Sequence, residues 1–441
     1  MSPILRLGIL GATDTVESTH LPALHALSTQ FELTILHDAS SEALQRCQKR
    51  FNIKETTTSA ADVLNHPQVD LVLNLLPFEY HEQHTIAALE AGKHVMVEIP
   101  LSLGIDGLRR IRAATKKGSV NSTVEGGPKV FVGCARRYAP CFTDIFKKEV
   151  ASIDRIYYAR CRNIAGPLQL PDQKAAKKGD SNGTGFNLSL NGNTNGKNNT
   201  NGSLTVPNTI INTTKFHTLL ADIFNVDDLT AERVAFCRFL GTRGAHDLSL
   251  MRELFGFPDA VASISITDPF YSGIFHYTDN AEDGNTFTML YEAGVDAVPR
   301  CDSHLTVYGS GKTVSLEYNF PCPGATCGEG VMSVVVEEAE KPENIEAAVN
   351  GNTNGHSLDG NVNGDGVCNS LSWPRAKRTV YTSTAADAYE KQFRAMYSYF
   401  VSGDAPDAKT TTEDALDDLK LVHMIFEHYD RQCGTIRTPL G

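Results

Sequence analysis

"LRLGILGATDTV", residues 5–16, decides the architecture. An apolar run from Leu5 to Leu10 stops at Gly11, and a helix-compatible stretch follows. This reads as a buried strand, a tight turn and a helix start, the first unit of a parallel sheet with crossover helices. A dinucleotide fingerprint at such a turn has the form Gly-X-Gly-X-X-Gly. Here the six positions read Gly11, Ala12, Thr13, Asp14, Thr15 and Val16, so only the first glycine is kept. Thr13 stands where bare backbone normally approaches a pyrophosphate, and Asp14 brings a negative charge near two phosphates. A strand–turn–helix with no cofactor is the competing reading.

Asp38 weighs on the cofactor side. It ends the second strand in "LTILHDAS", 33–40, where a carboxylate can bind both ribose hydroxyls. The same carboxylate repels a 2′-phosphate, which favours NAD over NADP; an ordinary turn aspartate is the alternative.

Outward from this unit the alternation continues. Strands are expected at Ile4–Leu10, Glu32–His37, Lys54–Thr57, 69–76, His94–Glu98 and 129–134. "EYHEQHTIAALEAG", 79–92, reads as a helix with Gly92 as its C-cap. From about 140 the rhythm changes: a helix at 140–150, then strand patterns at 153–164, 260–266, 273–278, 285–293, 303–309 and 313–318. These predict a large, mostly antiparallel open sheet. A helix at 246–256 precedes most of it, with His246 at its start, and amphipathic helices at 386–403 and 411–432 close the chain. Two tracts, about 174–210 and 340–370, are rich in Asn and Gly and share the hexapeptide NGNTNG. They are expected to be disordered insertions, too polar to offset their ordering entropy.

Composition sets the outer bounds. The 441 residues exceed one ordinary domain, and 41% are hydrophobic. No uninterrupted apolar run reaches the ~18 residues of a membrane span, and "MSPILRLGILG" lacks a signal-peptide plan. A cytoplasmic protein is expected, with ten reduced cysteines rather than disulfides. Cys322 and Cys327 find no second close pair, so no structural metal is expected. Net charge is −12 and the densest basic cluster, "RAKR" at 375–378, reads as a solvated loop edge. This is no nucleic-acid footprint, and a small-molecule partner is the default.

The set "GILGATD…HLPAL", "LNLLPFEYH", "AALEAGKHVMVEIPLS", "VGCARRYAP", "GAHDLSLMRELFG" and "TTEDALDDLKLV" resembles the glucose–fructose oxidoreductase/inositol dehydrogenase/MocA family. The likeness covers nearly the whole chain outside the two Asn/Gly tracts. It implies a Rossmann domain over residues 1–138 that binds NAD(P). It implies a second α/β domain over 139–441 that carries the substrate site and a sheet used for homo-oligomerisation. The implied activity is oxidation of a secondary alcohol of a sugar, polyol or cyclitol, or the reverse. A dinucleotide-binding regulator without catalysis, as in co-regulators of galactose metabolism, and a non-redox lyase or isomerase are the alternatives.

The resemblance also assigns residues. The family uses a Glu-Lys-Pro tripeptide and an Asp four residues before a His; the positions here are Glu98-Ile99-Pro100, Thr242 and His246. His246 is the remaining catalytic candidate, since an unperturbed imidazole titrates near neutrality. Ile99 and Thr242 are expected to face the cleft beside it. The cofactor candidates are Gly11, Ala12, Thr13, Asp38, Leu76, Pro77, His81, Glu98 and Arg136. Arg136, Arg137 and Tyr138 either bind an acidic substrate or anchor the interdomain seam. Lys215 and His217 are possible stand-ins for the lost groups.

Overall fold

The computed structural model describes residues 3–121, 126–166, 213–224, 229–278, 284–295, 298, 300–318, 330–339, 376–402 and 408–434. Both Asn/Gly tracts, Cys322 and Cys327 lie outside the described residues.

The N-terminal strands are β1 (Leu5–Leu10), β2 (Phe31–His37), β3 (Glu55–Thr57), β4 (Leu71–Asn74), β5 (His94–Glu98) and β6 (Val130–Gly133). They form one parallel sheet in the order β3-β2-β1-β4-β5-β6. This is the doubly wound order, which reverses between β1 and β4 and opens a crevice at the carboxyl ends there. Helices cover both faces, so β4 and β6 are buried at every residue. That is why these strands read as unbroken apolar runs rather than alternating ones.

The second sheet has eight strands. They are β7 (Ile156–Ala165), β8 (Ala260–Thr267), β9 (Phe270–Thr278), β10 (Thr286–Val295), β11 (Cys301–Gly309), β12 (Lys312–Tyr318), β13 (Val331–Ala339) and β14 (Ala376–Thr384). The order is β14-β13-β12-β11-β7-β10-β9-β8, antiparallel throughout except where β7 runs parallel to β10. The sheet buries Ala159, Cys161, Met289, Tyr291, Leu305, Val307, Val314 and Leu316 on its inner face. Sequence patterning overlooked β13 and β14. Of the basic cluster expected to be a loop edge, Ala376, Lys377 and Arg378 lie instead on β14 and are exposed, while Arg375 lies outside the described residues. A lysine and an arginine on an edge strand discourage pairing with another chain.

The last two helices, Ala385–Ser402 and Thr412–Gly434, return to the first sheet. The β6 edge is met by Thr410, whose carbonyl accepts from Val132 N–H at 2.9 Å. Ala415 and Leu419 join an apolar cluster with Val97, Ile99, Leu101 and Val132. The C-terminal chain therefore builds one wall of the crevice. Among the described residues no helix is long and apolar enough to cross a membrane.

Candidate functional site

Gly11 opens the crevice. Its φ is +101°, and a Cβ there would sit 2.8 Å from the Leu75 carbonyl oxygen. Both conditions demand glycine: the left-handed conformation and the close approach of β1 to the β4 exit. Asp38, at the end of β2, bridges the turn. Its Oδ2 accepts from Ala12 N–H at 2.7 Å and its Oδ1 from Ser40 N–H at 2.8 Å. Asp14, the charge that counted against a phosphate ligand, is 63% exposed and lies 3.8 Å from Arg46 Nη2. It points to solvent, not across the turn. Thr13 is half-buried, and its hydroxyl accepts weakly from Val16 N–H at 3.4 Å. The Thr15 hydroxyl is buried with no hydrogen-bond partner among the described residues. A bare tight turn, a helix start and an unsatisfied hydroxyl fit a pyrophosphate there.

Leu76 and Pro77 follow β4 and are half-buried. His81 locks this exit to the next one. Its Nε2 lies 2.8 Å from the Leu76 carbonyl and its Nδ1 2.8 Å from that of Pro100. Burial pulls the His81 pKa down against the two carbonyl contacts that raise it. This is a tie between two loops, so the residue acts through their placement.

Beyond the switch point the side chains converge. The helix after Gly11 contains a π turn, Val16–His20, and the helical stretch ending at Phe255 contains another, Leu240–Gly244. Such turns are frequent at functional sites because they displace the following side chains around the helix. His20 ends the first and donates from Nε2 to Glu98 Oε1 at 2.9 Å, with its Nδ1 3.0 Å from Thr19 Oγ1. The Tyr389 ring lies against it, centroids 4.7 Å apart. Burial works to raise the Glu98 pKa, but the hydrogen bond and charge of His20, with His246 and His81, bring it below the ordinary value. Glu98 is thus a carboxylate at the crevice, its side chain 19% exposed.

His246 follows the second π turn. It does not open a helix, as sequence implied, because Ala231–Phe239, the π turn and Ala245–Phe255 are continuous. It is half-buried, with Nδ1 3.9 Å from the Cys134 sulfur. Burial and the Arg136 charge lower its pKa to about 3, against the partial help of Glu98. The imidazole is thus held toward its neutral form, away from the near-neutral titration expected of a free ring. Thr242 is exposed and its hydroxyl donates back to the Arg238 carbonyl at 2.9 Å. Ile99 is packed among Leu101, Ala245 and Leu419. Neither of the two positions supplies a proton-handling group.

Asp247, next in sequence, turns to the second sheet and is fully buried. Arg136 Nη1 reaches its Oδ1 at 2.7 Å and Asn163 Nδ2 its Oδ2 at 2.7 Å. Tyr318 donates at 3.1 Å and Tyr291 at 3.4 Å. Burial first, then the Asp247 charge, pushes both phenols well above their ordinary range, so they remain donors. Arg136 is itself buried, stacked 4.8 Å from the Tyr318 ring centroid. Arg137 serves the seam, bonding Glu253, Asp414 and Ser249, and the Tyr138 hydroxyl meets Thr410 at 2.8 Å. Lys215 bonds Gln83 on the helix His81–Glu90, and His217 is exposed.

Sequence reading missed His20, Tyr389 and Asn163. His20 stood inside the "HLPAL" segment, but nothing local aligns a helix residue with a strand end 78 positions on. Tyr389 and Asn163 carry no local signal at all.

Residues 5–125 match the oxidoreductase family with an NAD-binding Rossmann fold. The 4-carboxy-2-hydroxymuconate-6-semialdehyde dehydrogenase of Sphingobium sp. is 31% identical over 147 residues, 33% of this chain and 44% of that protein. The NADP(+) scyllo-inositol 2-dehydrogenase of Bacillus subtilis is 30% identical over 115 residues, 26% of this chain and 31% of its own. The matches thus span less than half the length of these relatives. A 3-ketoreductase of Actinomadura kijaniata, solved with NADP and TDP-benzene, has TM-score 0.58 at 15% identity, covering 97% of this chain and 98% of that one. At that identity the likeness shows the fold.

Proposed function

From the match of residues 5–125 to the oxidoreductase family with an NAD-binding Rossmann fold, we propose that the protein is a nicotinamide-dinucleotide-dependent oxidoreductase. Its substrate class is a secondary alcohol or ketone of a polyhydroxylated or cyclic small molecule. The observation that carries this is Gly11, a turn only glycine can make, closed onto the β4 exit at the switch point of the sheet. Residues 1–138 form the dinucleotide domain in this reading, and 139–441 supply the substrate side and the helices that return to the crevice wall. One named relative acts on scyllo-inositol, a cyclitol, which supports the substrate class.

The cofactor when bound accepts or donates the hydride. Gly11, Ala12 and Thr13 border the pyrophosphate, Asp38 the ribose, and Leu76 and Pro77, held by His81, the exit between them. Asp38 favours NAD over NADP by charge. His246 is the proton handler: as a neutral imidazole it has one ring nitrogen to accept and one to donate a hydrogen bond. His246→Ala should abolish turnover, and pH-rate profiles should show no limb from His246 between pH 5 and 8. Arg136 acts from behind, keeping His246 neutral while Asp247 holds it. A homo-oligomer is proposed through the outer face of the second sheet, where Tyr308 and Val380 are 40% and 46% exposed; light scattering checks it. Buried free thiols at Cys47, Cys134, Cys141, Cys161 and Cys237 suit a reducing, cytoplasmic setting.

A second reading has its own support. With Ile99 in the core and the Thr242 hydroxyl bonded to the Arg238 carbonyl, a dinucleotide-binding regulator needs no further change to the site. Calorimetric titration with NAD and NADP decides first: NAD is expected to bind more tightly, and failure of both to bind ends both readings. Turnover across a panel of polyols and cyclitols then separates enzyme from regulator.

A further inference from the structure

We propose that Glu98 is a fixed anion at the nicotinamide end of the crevice, and that it makes the site favour the oxidised dinucleotide over the reduced one. The inference rests on the dinucleotide-binding reading above and adds to it a preference between redox forms.

The seat of this carboxylate is built from three elements. β5 ends at Glu98, at the carboxyl edge of a parallel sheet, where ligands of such sheets bind. β6 leaves room for it with Gly133, since a Cβ there would lie 2.7 Å from Glu98 Oε1. The π turn before Leu21 brings His20, which bonds the same oxygen at 2.9 Å and is backed by Tyr389. The Glu98 side chain is 19% exposed.

His20, when protonated, is the ion-pair partner of this carboxylate, and the other groups near it are engaged elsewhere or held neutral. Position 99, which follows Glu98 directly, holds an apolar side chain in the core rather than a cation. Arg136 is committed to the buried carboxylate of Asp247 at 2.7 Å. His246 and His81, the other groups whose charge Glu98 feels, are both held toward their neutral forms by burial. His20 is the single hydrogen-bonded partner of Glu98 among the described residues. An oxidised nicotinamide ring carries a positive charge that reduction removes, so a nearby anion stabilises one form and not the other. In a partly dry crevice such an interaction is worth roughly ten-fold or more in relative affinity.

The test needs no substrate. Calorimetric titrations of the full chain with NAD⁺, NADH and ADP-ribose, which lacks the nicotinamide, are compared for the unmodified protein, Glu98→Gln and Glu98→Asp. The unmodified protein should hold NAD⁺ at least as tightly as NADH. Glu98→Gln should move the ratio toward NADH by about ten-fold and leave ADP-ribose within about two-fold. Glu98→Asp, which keeps the charge, should keep the preference. Unmodified protein that binds NADH ten-fold more tightly overturns the inference without any variant, so a misfolded Glu98→Gln does not shelter it. An unchanged ratio in a folded Glu98→Gln overturns it too. If NAD⁺, NADH and ADP-ribose all fail to bind, the dinucleotide reading falls and this inference with it. If they bind but show no dependence on residue 98, only the inference falls.

Discussion

The two ends of the crevice are built on different principles. At the β1–β2 end the Asp38 carboxylate bonds backbone N–H groups of Ala12 and Ser40, 26 and 2 residues away. At the β5–β6 end the ties that hold the charged groups are long. Glu98 meets His20 across 78 residues, Arg136 meets Asp247 across 111, and Cys134 N–H donates to Gln392 across 258. The first end is a property of a turn, while the second exists only once helices from both halves of the chain have docked. A turn of this kind depends on backbone more than on side chains, and here Thr13 and Val16 stand in place of the usual glycines. A side-chain site has no such insurance, because its charged groups depend on partners brought from remote parts of the chain.

The largest expected effect tests that vulnerability. Asp247→Ala leaves the buried Arg136 without its carboxylate and should cost about 3–5 kcal/mol of stability, read from a denaturant midpoint. Asp247→Asn should cost less, since it still accepts hydrogen bonds. If Asp247→Ala unfolds near the native midpoint, the long-range network contributes little and the contrast between the two ends dissolves.

Acid should act next, through groups of the first sheet. Burial, with help from Lys129, lowers the His94 pKa to about 4. The native state therefore binds fewer protons than the unfolded chain, whose histidine titrates near its ordinary value. The stabilisation is complete above the unfolded value near 6.5 and is lost as pH falls toward 4, by about 2 kcal/mol at pH 5. Thermal melts at pH 7.5 and 5 of the native protein and His94→Gln should differ by this amount. A variant as acid-sensitive as the native chain would reassign the effect.

At the glycine turn, Gly11→Ala should cost about 1–3 kcal/mol, because a Cβ meets the Leu75 carbonyl at a positive φ. NAD affinity should fall with it, and a melt together with a titration checks both. Asp38→Ala should have the smallest effect, about 1 kcal/mol in NAD binding, and should narrow the gap to NADP. Tighter NADP than NAD binding by the native protein would show that Asp38 is only the clasp of the turn.

Legibility followed the same division. Apolar runs doubly covered by helices announced β1, β2, β4, β5 and β6, and Gly11 and Gly92 announced their turns through positive φ. β13 and β14 escaped because they flank a long Asn/Gly tract and because β14 is exposed at most positions, leaving no clean alternation to read. Residue types at the site were legible for Glu98 and His246. Their states were not, since a histidine in sequence carries no sign of the burial and the arginine that bring it to about 3.

By itself the sequence determined the doubly wound sheet, the open second sheet, the glycine turn and the carboxylate after β2, because each follows from local periodicity or from one residue's backbone freedom. Only the tertiary structure decided that His20 would hold Glu98, that Asp247 would face away from His246 to bind Arg136, and that the last two helices would close the crevice. Those arrangements depend on π turns that rotate side chains and on contacts more than 70 residues apart. Hydrogen-bond satisfaction of buried groups is settled by the whole packed chain, and no local pattern encodes it.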